Sequence, residues 1–95
     1  MRLIWSREAI AIRRAIFDRI SPDDLGAAKR MVKRLRDRAN SLQALPRQGR
    51  RGRVPETFEL VVSQTPYIIV YAIERQEVRI LTILHHAQLW PPKEG

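Results

Sequence analysis

Cysteine is absent from this chain. That excludes disulfides, thiolate metal sites and cysteine nucleophiles, and it fits a reducing compartment such as the cytosol. Long apolar runs are absent too. The opening stretch MRLIWSREAI is interrupted by Arg7 and Glu8, so neither a secretory leader nor a membrane span is expected. Glycine occurs 4 times in 95 residues, never in a phosphate-cradling pattern, and no serine sits in a nucleophile motif. There are 2 histidines, with nothing of metal-ligand spacing around them, so no metal and no cofactor is expected. Acidic residues are the minority charge and form no catalytic pair: Asp23 and Asp24 read as helix-start residues, Asp37 as a surface charge, and Glu74 and Glu77 flank a turn.

What the chain does have is positive charge. Eighteen Lys and Arg against 10 Asp and Glu give a formal net charge of +8. Such a balance attracts polyanions: nucleic acid, an acidic protein or, less specifically, a membrane surface. Ninety-five residues make one domain, residues 1–95. A domain of this size buries only about 60–65% of its unfolded surface, so a partner contributes to its stability as well as to its control.

Periodicity orders the chain. Leu3-Ile4-Trp5 reads as a short strand. Ala9, Ile12, Ile16 and Ile20, with Phe17 beside them, form the buried stripe of a first helix. Ser21-Pro22-Asp23-Asp24 reads as a break with Ser21 capping a second helix and Pro22 at its first position. Ala28, Met31, Leu35, Ala39 and Leu42, reinforced by Val32, give the second stripe, and the short connection predicts an antiparallel helical hairpin. Leu45-Pro46 ends that helix. Residues 46–55 hold 2 prolines, 2 glycines and 4 arginines and read as a loop. Strands are expected at 58–62, 67–73 and 78–84. The second of these is apolar on both faces, as a central strand would be. The fold class is α+β: an N-terminal strand and a helical hairpin packed on one face of an antiparallel sheet.

Two clusters stand out as candidate sites. One is the loop with Arg47, Arg50, Arg51 and Arg53, where glycines beside guanidiniums allow close approach to phosphates. The other is His85-His86 at the end of the last strand. Neighbours in a regular strand point to opposite faces, so one histidine is expected toward the helices and the other toward the open face. The basic surface of the second helix reads as a solvated face.

In this order and spacing, the pieces resemble a known family. The helical hairpin with Ala27-Ala28, Leu45-Pro46 followed by Gly49-Arg50 and Gly52-Arg53, Glu59-Leu60-Val61, Pro66-Tyr67-Ile68-Ile69-Val70-Tyr71, Ile83-Leu84-His85 and Trp90-Pro91 together resemble the RelE/ParE superfamily, the toxins of type II toxin–antitoxin pairs. The resemblance implies a cytoplasmic toxin silenced by a cognate antitoxin, which alone binds operator DNA. It leaves two activities, beside a third reading in which the protein has little toxicity and is kept as the antitoxin-bound part of an autoregulated complex. ParE-like toxins inhibit DNA gyrase without a nuclease site; RelE-like toxins cut messenger RNA on the ribosome. The nuclease branch places Lys or Arg in the strand equivalent to Phe58–Val62 and Arg just after the tyrosine of the next strand. This chain has Glu59, Val61 and Ile68 there, which favours the gyrase branch. The implied binding residues are Arg47, Arg50, Arg51, Arg53, His85 and Trp90. A nuclease would instead draw its catalytic groups from His85, His86, Tyr71 and Arg53.

Overall fold

A computed structural model describes residues 1–92; residues 93–95 of the expected domain lie outside the described part. The order is β1 (Arg2–Trp5), α1 (Arg7–Ile20), α2 (Leu25–Asn40), a 3-10 turn (Ser41–Gln43), β2 (Arg50–Arg51), β3 (Phe58–Val61), β4 (Tyr67–Glu74) and β5 (Glu77–His85). The five strands form one sheet in the order β1-β5-β4-β3-β2. The expected α+β layering holds, with one difference. The sheet is mixed, because β1 runs parallel to β5, with Arg2 opposite Glu77 and Trp5 opposite Ile80. The helical hairpin carries the chain from β1 to β2 at the opposite edge, and the antiparallel run β2-β3-β4-β5 then comes back across the sheet until its last strand lies parallel beside β1.

The helix stripes bury as their spacing requires. Ala9 and Ile16 from α1, and Ala28, Leu35 and Ala39 from α2, are buried. Ile12, Ile20 and Met31 pack at the rim of the same core. From the sheet come Leu60, Tyr67, Ile69, Tyr71, Val78, Ile80 and Ile83, so Tyr67, Ile69 and Tyr71 do share the helix-facing side of β4. Each fully buried large apolar side chain contributes about 1.5–3 kcal/mol.

Three local expectations need correction. Ser21 does not start α2. It ends α1, in helical geometry, with its N–H on the Phe17 carbonyl. The cap of α2 is Asp24, whose extended backbone lets Oδ1 accept from the Ala27 N–H at 2.9 Å. Pro22 therefore lies in the turn. Secondly, Leu42 is buried from the 3-10 turn, not from α2. Thirdly, the arginine loop holds a short strand: β2 pairs Arg50 with Glu59 and Arg51 with Phe58. The β4–β5 turn manages without glycine because Arg75 adopts a left-handed φ of 53°.

Ser6 ties the layers together. Its Oγ accepts from the Ala9 N–H at 3.0 Å, capping α1, and donates to the Leu81 carbonyl at 2.8 Å. Leu81 sits where the β4–β5 register slips, Val70 facing Thr82 and Tyr71 facing Ile80; such an extra residue loses its ladder partner. One hydroxyl thus satisfies a helix end and an irregular strand at once. Ser6→Ala is expected to cost about 1–2 kcal/mol in urea denaturation, with native-like circular dichroism.

Candidate functional site

Alternation along the strands sorts the sheet into two faces. Phe58, Leu60, Ile69 and Tyr71 face the helices. Glu59, Ile68, Val70 and Leu84 face away. On this far side Ile68, Val70 and Leu84 form a second small core, completed by Leu81 and by Trp90 from the C-terminal segment. The β4 strand is apolar on both sides because both sides are covered.

Glu59 is the buried charged residue of that far face, at 2% exposure. Its carboxylate accepts the Arg53 N–H at 2.9 Å and the Arg53 guanidinium at 2.9 Å, and pairs with Arg50 at 3.2 Å. Hydrogen bonds from Arg53, opposed by burial and aided by Arg50, hold its pKa down to about 2. Those same bonds raise the pKa of Arg53. Glu59 is therefore an anion at any physiological pH and the anchor of the arginine loop.

A second pin lies on the helix side. The fully buried Tyr71 hydroxyl donates to the Pro46 carbonyl at 2.7 Å and accepts from the Gly49 N–H at 2.9 Å. Burial pushes its pKa up. Gly49 is required here: a Cβ would lie 2.8 Å from both the Glu59 carbonyl oxygen and the Tyr71 hydroxyl.

The four loop arginines are consequently not one patch. Arg50 and Arg53 are gathered by Glu59. Arg51 lies opposite Phe58 and so projects from the other face of the ladder. Arg47 is exposed at the loop start, before β2. Tyr71, a candidate nuclease group, has its hydroxyl enclosed and doubly bonded.

At the far end of the sheet both histidines are exposed, and neither enters the helix-facing core. The strand ends at His85, so the alternation rule lapses there. The rings stack on each other with centroids 4.7 Å apart, and His85 meets Tyr67 edge-on at 5.9 Å. His85 Nδ1 accepts from the Ala87 N–H at 3.3 Å, and the His86 N–H donates to the Pro66 carbonyl at 2.7 Å. Trp90 is half-buried, with an indole Nε1 that is buried without a hydrogen-bond partner among the described residues. Among the described residues no cluster of His, Asp and Glu could hold a metal. No described helix is long and apolar enough to cross a membrane.

The basic face of α2, read from sequence as a solvated surface, borders a groove of about 500 Å³ lined by Arg30, Lys33, Arg34, Arg38, Val62 and Ser63, among others. Arg34 donates to Gln64 Oε1 at 2.7 Å and Arg38 to Gln48 Oε1 at 2.7 Å. These guanidiniums are oriented by neutral groups and keep their charge uncancelled. Beside them β2 stops short, so the Val61 end of β3 is an edge, and Val61 is 49% exposed. Sequence periodicity could not show this groove, since it is made by residues about 30 positions apart that meet only after folding.

With this geometry in place, comparison with known proteins is direct. Residues 3–90 match the family described as ParE toxin of type II toxin-antitoxin system, parDE. Over 90 residues the chain is 41% identical to the protein named "Putative toxin Y4kP" of Sinorhizobium fredii, covering 95% of this chain and 93% of that one. It is 35% identical over 88 residues to "Toxin RelE2" of Caulobacter vibrioides, covering 93% and 98%. The solved chromosomal ParDE TA system from P. aeruginosa has a chain that superposes with a TM-score of 0.81 at 28% identity, over 87% of this chain and 92% of that one. The chain belongs to the ParE toxin family of type II toxin–antitoxin systems, within the RelE/ParE superfamily.

The Glu59 ion pairs give a measurable pH signature. The folded pKa of about 2 lies below the ordinary 4.5, so the stabilisation is complete above the unfolded pKa and is lost as pH falls toward the folded one. The shift corresponds to roughly 3 kcal/mol before solvent screening of the exposed guanidiniums lowers it. Urea titrations are expected to show wild-type stability falling between about pH 4.5 and pH 2. Glu59→Gln should remove that slope and lose about 1–3 kcal/mol at pH 7.

Proposed function

We propose that this toxin arrests growth by binding DNA gyrase and is neutralised by a cognate antitoxin. The observation that carries the reading is Glu59. A phosphoryl-transfer site on RNA must stabilise extra negative charge in its transition state, and cations do this. Here the strand in which the nuclease branch places a cation holds a permanent anion, with Arg50 and Arg53 already bound to it. The Tyr71 hydroxyl is likewise occupied. The loop arginines then serve as a shaped surface for recognition, not as chemistry.

The test is a supercoiling and cleavage-trapping assay on plasmid DNA with gyrase, ATP and antitoxin-free toxin. Dose-dependent inhibition, reversed by antitoxin, is the expected result. Arg47→Glu with Arg51→Glu changes loop charges that Glu59 does not hold. It should raise the inhibitory concentration about tenfold, equivalent to about 1.4 kcal/mol, without changing the melting temperature. Unimpaired gyrase, with cleaved messenger RNA in arrested cells, would overturn the proposal. In that case the exposed His85–His86 pair is the candidate acid–base group, and His85→Ala should abolish the cleavage.

The antitoxin reading concerns the groove between α2 and β3. Uncancelled guanidiniums, with Arg38 reaching the Val61 carbonyl at a strand edge that β2 leaves uncovered, suit an acidic segment that orders on binding. Arg30→Glu with Arg34→Glu is expected to weaken antitoxin capture about a hundredfold in a pull-down titration, since opposed charges replace complementary ones.

A further inference from the structure

The outer side of the helical hairpin carries a third apolar patch. Phe17 and Val32 adjoin the buried stripes of α1 and α2, yet they pack into neither of the two cores. They line the crease between the helices on its solvent side. One stretch of the crease, about 310 Å³, has Ile10, Phe17 and Val32 as its floor and Arg13, Arg14 and Arg36 as its walls, with Asp18 at the side. A second stretch, about 400 Å³, shares Phe17, Val32 and Arg36 and adds Lys29, among others. Phe17 and Val32 are half-buried, and Ile10 is 40% exposed. Apolar side chains left at the surface and rimmed by charge mark a place where another surface docks.

The rim is positive and unrelieved. Among the described residues Arg13, Arg14, Arg36 and Lys29 form no ion pair. Lys33 and Asp37, further along the second stretch, bind each other at 2.7 Å and add no net charge. Arg13 is held in place, its guanidinium 4.5 Å above the Trp5 ring. Burial and the nearby charges of Arg36 and Arg14 lower its pKa. Cations kept together by packing, with their repulsion standing, gain from carboxylates placed beside them.

We infer that this crease seats an acidic amphipathic α-helix of a partner protein. The floor selects protein over nucleic acid. A phosphate backbone gains nothing from Ile10, Phe17 and Val32, whereas an apolar stripe laid on them removes both surfaces from water. The walls select a helix over a strand. Both walls are helices whose backbone groups are already paired, so an extended segment would find no donors or acceptors here, while a helix arrives with its own backbone bonds made. Its ridge fits the groove between two helices. Ile10 to Phe17 on α1 and Lys29 to Arg36 on α2 each span about 10 Å, roughly two turns. An apolar stripe over Phe17 and Val32 then brings flanking carboxylates to Arg13 and Arg14 on one side and to Lys29 and Arg36 on the other. The inference rests on neither the gyrase nor the antitoxin reading, since it concerns the opposite flank of α2 from the α2–β3 groove and is measured on the free toxin.

The experiment is fluorescence anisotropy of free full-length toxin with two labelled synthetic peptides of equal composition, each about 18 residues long. One carries leucine at helical spacing with glutamate and alanine between. The other is scrambled so that no stripe forms. The striped peptide is expected to bind about tenfold more tightly and to gain helical circular dichroism on binding. Arg14→Gln with Arg36→Gln should weaken it about tenfold. Ile10→Gln, at an exposed position, should weaken it about threefold and leave the scrambled peptide unchanged. Circular dichroism melting confirms that each variant folds. Arg30→Gln with Arg34→Gln, in the α2–β3 groove, should weaken it less than the hairpin pair does. Equal affinity for the two peptides overturns the inference, because charge alone then accounts for binding. So does a loss confined to the Arg30 and Arg34 variant, which places the peptide in the α2–β3 groove. A labelled random-sequence DNA duplex that responds to the hairpin variants while the striped peptide does not also overturns it, and assigns the crease to nucleic acid.

Discussion

A carboxylate buried under a loop of arginines is the constraint on which this side of the molecule depends. Removing Glu59 from water has a desolvation cost that only several good donors can offset. The chain supplies them from close by in sequence, through the Arg53 backbone N–H and two guanidiniums. Because they lie six and nine residues upstream, satisfying the carboxylate forces the loop to fold back on β3. The Tyr71 hydroxyl holds the loop start from the opposite face. A segment whose composition predicts mobility is thereby fixed at two points on opposite sides of one sheet. A short edge strand, β2, results.

The same logic explains why β4 is apolar throughout. The helices cover one face with Leu35, Ile16 and Ala39. The other face is covered from the ends, by the Glu59-anchored loop at one edge and by Trp90 over Ile68, Val70 and Leu84. Two segments that carry candidate binding residues, the loop and the C-terminal stretch, are therefore also parts of the far layer. Binding residues on such segments are positioned by packing, which reduces the ordering cost when a partner arrives.

Legibility followed the range of the interactions. Helix stripes such as Ala9-Ile16 and Ala28-Leu35-Ala39 repeat every three or four residues, and local period shows them before any tertiary contact forms. The central place of β4 was readable because its apolar run breaks alternation. Ser21 misled because it has the chemistry of a cap, but α1 runs to Ile20 and its last N–H contacts reach through Ser21 to Asp24. Only Asp24 then takes the extended geometry that capping needs. His85 and His86 misled because the alternation rule assumes a strand that continues. Glu59 was visible as an odd residue in an apolar strand. Its role was not, since a buried charge is interpretable only with its partners in place, and those arise from a loop with no period. The α2–β3 groove was the least visible feature, being made by contacts some 30 residues apart.

Basic charge in this protein is thus three surfaces with different states of compensation. Around Glu59, Arg50 and Arg53 are partly neutralised and tied to one carboxylate. In the α2–β3 groove, Arg34 and Arg38 are oriented by the neutral amides of Gln64 and Gln48 and keep their charge. On the hairpin, Arg13, Arg14 and Arg36 are packed close with their repulsion standing. A net charge of +8 says only that polyanions are attracted. Compensation decides what each surface can do next: a paired guanidinium gives shape, an oriented one gives a directional contact, and a crowded one gives attraction that salt weakens.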